Sequence, residues 1–133
     1  MYPRSERLIK FTCEVIPTIQ LKTAFENNFL SKEARFALEY CAASMAYPEV
    51  IAVLCDGCDS KNIVIKSYSW SAVTNSIMNL DPSYYDQIGE FKKLFQTLSN
   101  GLIASKSFEE RESIKILKTI GKEHCKLICA NVF

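Results

Sequence analysis

The sequence predicts an α+β domain, a small antiparallel sheet covered by four to five helices. Three observations predict it. Residues 8–16 alternate apolar and polar. Residues 50–55 and 62–70 are rich in β-branched and aromatic side chains on either side of Asp56-Gly57. Helix start and stop signals punctuate the rest. The alternative is an all-α bundle in which 50–55 is a buried helix, because a short continuous apolar run has no period of its own.

In the first element Ile9, Phe11, Cys13 and Val15 point one way and Lys10, Thr12 and Glu14 the other. That is the pattern of a half-buried strand, and Pro17 is expected to stop it. A helix is expected over 18–29, through Ile19, Leu21, Ala24, Phe25 and Phe29. Ser31 is the expected N-cap of the next helix, from Lys32 to about Tyr47, with Ala34, Leu38, Cys41 and Met45 on one stripe and Pro48 as its terminator. The runs 50–55 and 62–70 then read as a hairpin with an irregular Cys55–Lys61 loop. Residues 71–80 are ambiguous, readable as a short helix with Ala72, Val73, Ile77 and Leu80 inward.

Asp81-Pro82 is a start signal, an acceptor at the N-cap followed by proline at the first helical position. Tyr84, Ile88, Phe91, Phe95 and Leu98 recur at helical spacing up to Asn100-Gly101, the expected stop. Ser107-Phe108-Glu109-Glu110 is a capping box that opens a last helix to Gly121 or Cys125, with Ile114, Leu117 and Ile120 on its inner face. Residues 126–133 read as a strand or as a continuation of that helix.

Composition narrows the function. The chain has 133 residues, enough for one domain, and 48% of them are hydrophobic, which excludes a disordered tail. Sixteen basic residues against fifteen acidic give a formal charge of +1, which argues against a protein that coats polyanions. No apolar run approaches the ~20 residues needed to span a bilayer, and no continuous apolar stretch marks a secretory signal. The expectation is an intracellular protein, cytoplasmic or nuclear, that uses no membrane. Its six cysteines are expected to be reduced, because a core of this apolar content needs no staples.

The sequence carries none of the glycine-rich phosphate loops, HExxH or GxSxG signatures of common enzymes. No cofactor and no enzymatic activity are expected. The sharpest local feature is Cys55-Asp-Gly-Cys58. Two thiolates at that spacing can face one metal, but no second CxxC supplies the other pair of ligands, so the two are weak zinc candidates. Asp56 and Asp59 also oppose a thiolate there. His124 is the single histidine, and its neighbour Cys125 points about 100° away on a helix, so the two do not form a dyad.

Two surfaces remain as expectations. Phe91, Leu94, Phe95 and Leu98 give the 82–99 helix an apolar face wider than one core stripe. It reads as the contact of a regulatory protein–protein interaction module, with a protein partner or a second copy of the chain. Arg111, Lys115, Lys118, Lys122 and Lys126 form a basic stripe on the last helix, the basis of an alternative nucleic-acid-binding reading. No aromatic is interleaved in it, which counts against stacking on single strands.

Overall fold

A computed structural model describes the backbone of residues 4–81, 83–84, 88–103 and 107–132, and their side chains except at 88–90, 107 and 121–132. The described residues form six helices and no strand: α1 (Glu6–Lys22), α2 (Asn28–Ser44), α3 (Pro48–Gly57), α4 (Ile63–Asn79), α5 (Ile88–Ile103) and α6 (Ser107–Val132). The expected α+β sheet is therefore overturned, and the all-helical alternative fits.

Each expected strand lies inside a helix for a physical reason. Residues 8–16 belong to α1, whose buried positions are Ile9, Thr12, Ile16 and Gln20. That period is helical, and two of the four are polar, so an apolar count misses it. Phe11, expected to face inward beside Ile9, is 61% exposed. Ser5 caps the helix, its side chain accepting from the Leu8 amide at 3.3 Å. Pro17 lies within α1 and removes one donor without ending it. The run 50–55 is a helix enclosed on nearly all sides: Val50, Ile51, Leu54 and Cys55 are all buried. Pro48 starts α3 and does not merely end the helix before it. Asn62 caps α4, accepting from the amides of Val64 at 2.9 Å and Ile65 at 3.3 Å, and commits 62–70 to helix.

The α4 helix packs against α2, α3 and α6, and α3 bridges α1 to α5. Ala72, Val73, Ile77 and Leu80 are buried as expected, with Trp70 beside them. A polar tie crosses this core. Gln20 Nε2 donates to the Leu54 carbonyl at 3.2 Å and to Ser69 Oγ at 3.1 Å, joining α1, α3 and α4. Gly57 makes room for it, since a Cβ there would meet the Gln20 amide and Ser69 Oγ.

Two helix ends differ from expectation. Asp81 Oδ1 accepts from the Ser83 amide at 3.0 Å, but this caps a short turn, and α5 begins at Ile88. Pro82 lies outside the described residues. Gly101 is inside α5, not its stop. A Cβ there would lie 2.9 Å from the Trp70 ring and against Ser113 Oγ, so glycine permits the close approach of α5 to α4 and α6. The last helix starts at Ser107 as expected and continues to Val132 without a strand. Its inner face is rotated from the expected one. Ile116 and Ile120 are buried, Ile114 is 40% exposed, and Leu117 is partly buried.

Candidate protein-binding face

The α2 helix is fixed on its inner side and bare on its outer side. Asn27 caps it, its side chain accepting from the Leu30 amide at 3.1 Å. Ser31, expected as the cap, is instead one turn in and buried, with Ala34, Leu38 and Ala42. These side chains are small apart from Leu38, so the helix lies close to its neighbours. Arg35 sets its rotation: Nη2 donates to the Thr23 carbonyl at the end of α1, and the guanidinium sits 4.5 Å over the Tyr68 ring of α4.

With that face inward, successive side chains about 100° apart place Phe29, Phe36 and Tyr40 on the opposite side. They are 71%, 55% and 74% exposed. The α1 helix adds Leu8 and Phe11, both exposed, toward its N-terminal end. The α1 and α2 helices, joined by residues 23–27, pack directly against each other. Leu21 and Phe25 are exposed at the other end, where Lys22 Nζ lies 4.2 Å from the Phe25 ring. Single exposed apolar residues are ordinary on a protein surface. Large aromatics recurring on the outer side of one helix are not.

The apolar face expected to meet a partner is buried within the chain. Phe91, Leu94, Phe95 and Leu98 are at most 3% exposed and belong to the core of the protomer. The α5 helix packs against both α3 and α6, so its wide apolar face is consumed within the chain. The signal for the outer face was present in the sequence. Phe29, Phe36 and Tyr40 recur at seven and four, opposite the Ala34–Leu38 stripe, but a helix begun at Lys32 separates Phe29 from the others.

Arg111, Lys115 and Lys118 are exposed on α6, where with Glu110 and Ile114 they line a shallow concavity. Lys115 is paired at 3.3 Å with Glu112, which also accepts from Thr74 Oγ1 at 2.7 Å. The face therefore carries mixed charge. Lys122 and Lys126 lie on the α6 backbone, and their side chains are outside the described residues.

Cys55 and Cys58 are not in a loop. Cys55 is in the last turn of α3, Cys58 is its C-cap, and both are buried. Burial above all pushes the Cys55 thiol up to about 12 and raises Cys58 well above the ordinary thiol range. Cys58 Sγ donates to the Leu54 carbonyl at 3.9 Å. Among the described residues no group of three or more histidine, cysteine or acidic side chains is placed to hold a metal. The side chains of His124, Cys125 and Cys129 lie outside the described residues. No described helix is long and apolar enough to cross a membrane. No protein-family model, curated protein or solved structure matches the chain.

Proposed function

We propose that this chain is a non-enzymatic protein–protein interaction module whose contact surface is the outer face of the α1–α2 hairpin. One observation carries the reading: Phe29, Phe36 and Tyr40 stand in water on the side of α2 turned away from its own core. Hydrating three aromatic rings in a row is unfavourable, and a partner that covers them recovers that free energy. Arg35 ties α2 to the end of α1 and to α4, and Gln20 ties α1 to α3 and α4, so docking onto these helices is expected to need little ordering of the backbone.

Photo-crosslinking from position 36 tests the reading. A benzophenone side chain replacing Phe36 is expected to give a discrete protein adduct in the expressing cell. The same group at Lys118 is expected to give none. The adduct should vanish when Phe29 and Tyr40 are both changed to serine. Absence of an adduct at 36, or one insensitive to those serines, refutes the proposal.

A further inference from the structure

The outer face of α2 matches itself, and we infer that the partner it takes is a second copy of this chain, packed antiparallel about Phe36 in an isologous dimer. This rests on the interaction-module reading and adds the identity of the occupant. Phe29, Phe36 and Ala43 recur every seven residues on the exposed side of α2, with Tyr40 four after Phe36. That is the spacing of a coiled-coil seam about two heptads long, in which exposed Glu33 holds the place four after Phe29. In an antiparallel pair centred on Phe36, residue i of one copy lies opposite residue 72 − i of the other. Phe36 then meets Phe36 across the twofold axis. Phe29 meets Ala43, a large ring against a small, exposed side chain, and the same contact recurs at the other end.

Charge is complementary in the same register on one flank of the seam, while Glu33 lies on the other flank. Lys32 and Glu39 are seven apart, so they flank the seam on the same side. A twofold axis perpendicular to the helices brings Lys32 of each copy within about one residue's rise, roughly 1.5 Å along the axis, of the level of Glu39 on the other. Two ion pairs form, related by symmetry. Among the described residues, neither Lys32 nor Glu39 joins an ion pair within its own protomer. A parallel pair would instead set Lys32 beside Lys32 and Glu39 beside Glu39.

The three rings supply about half of the area a stable interface takes. Phe29, Phe36 and Tyr40 together expose about two aromatic side chains' worth of surface, roughly 400 Å² at the ~200 Å² such a side chain buries. A stable interface takes ~800 Å² from each partner. Ala43 and the stems of Lys32 and Glu39 beside the seam add to it.

Sedimentation equilibrium of the full chain, from micromolar to near-millimolar concentration, tests the pairing through a charge exchange. The unaltered protein is expected to pass from monomer to dimer. Lys32→Glu and Glu39→Lys each set like charges at two symmetric places, and each is expected to weaken the dimer about tenfold. The combined K32E/E39K variant is expected to restore it. Circular dichroism melts of the dilute variants should coincide with that of the unaltered protein, since both side chains are exposed. A chain that stays monomeric at every concentration overturns the inference, as does a dimer indifferent to both single changes, or one that the double exchange fails to restore. If the chain is monomeric while position 36 still crosslinks to a different protein, the dimer is refuted and the interaction-module reading stands.

Discussion

Replacing one buried and one exposed phenylalanine by alanine tests the division of the molecule into core and contact face. Phe91 is 2% exposed, on the α5 face that packs within the protomer. Phe91→Ala removes a ring from a closed site and leaves a cavity, which typically costs 3–5 kcal/mol. Phe29 is 71% exposed, so less than a third of its surface leaves water on folding. Against ~1.5–3 kcal/mol for full burial, Phe29→Ala forfeits about 0.7 kcal/mol. The better helix propensity of alanine returns up to about 0.5 kcal/mol of that. The same chemical change is thus expected to cost at least about four times as much at Phe91 as at Phe29. Urea unfolding at low micromolar concentration, where association adds nothing to stability, measures both. With each kcal/mol worth about 3–5 °C in a domain of this size, Phe91→Ala lowers the melting temperature by ~10–20 °C and Phe29→Ala by no more than ~2 °C. A loss below ~1 kcal/mol at Phe91, or above ~2 kcal/mol at Phe29, would refute the assignment of these faces.

Further predictions follow from the interior. Gly101→Ala forces a methyl against Trp70 and Ser113 and is expected to destabilise by about 1–3 kcal/mol despite the helix propensity it gains. Adding Ser113→Ala removes one of the two obstructing groups, so a double-mutant cycle in urea should show favourable coupling; strict additivity would contradict the close approach. Ser113 Oγ is buried without a hydrogen-bond partner among the described residues, so Ser113→Ala alone is expected to be neutral or stabilising. Cys55 and Cys58 should resist iodoacetamide in the native protein at pH 8 and react once it is unfolded, read by mass spectrometry of alkylated peptides. Labelling of either at the rate of a free thiol would contradict their burial.

The same burial has a pH consequence. The Cys55 thiol titrates at about 12 in the folded chain, whereas an unfolded thiol titrates near 8.5. Below the unfolded value both states hold the proton and the contribution to stability is whole. Above it the unfolded chain ionises first, so stability falls by up to about 1.4 kcal/mol per pH unit and is lost as pH rises through about 12. The unfolding free energy of the unaltered protein should drop more steeply between pH 9 and 11 than that of Cys55→Ala. Equal slopes would contradict the raised thiol.

Caps and periods were each legible only in part, since Pro17, Ser31 and Gly101 do not mark the helix ends expected of them. Ser107 opens α6, and the inward set Ala72, Val73, Ile77 and Leu80 was readable from its spacing alone. The strand at 8–16 was misread because the buried period of α1 runs through Thr12 and Gln20, two polar residues. Apolar side chains at 9, 11, 13 and 15 then mimic alternation. The run 50–55 has no period, because α3 is covered on nearly every side. What decides it is at its borders: Pro48 at the helix start, and Asn62 with two amides to accept before α4. The exposed face of α2 is hard to read in the sequence for a related reason. An apolar helix face states only that something covers it. Whether the same chain covers it, as on α5, or leaves it exposed, as on α2, depends on which helices pack together, and that is a property of the tertiary arrangement.

The most direct test of the central claim is a dilution series of amide and aromatic nuclear magnetic resonance spectra of the isotope-labelled full chain. Concentration-dependent shifts should concentrate at Phe29, Lys32, Phe36, Glu39, Tyr40 and Ala43 and leave Arg111, Lys115 and Lys118 unmoved. Spectra independent of concentration, or shifts that map to α6 and spare α2, would contradict the claim that the outer face of α2 is where this protein meets its own copy.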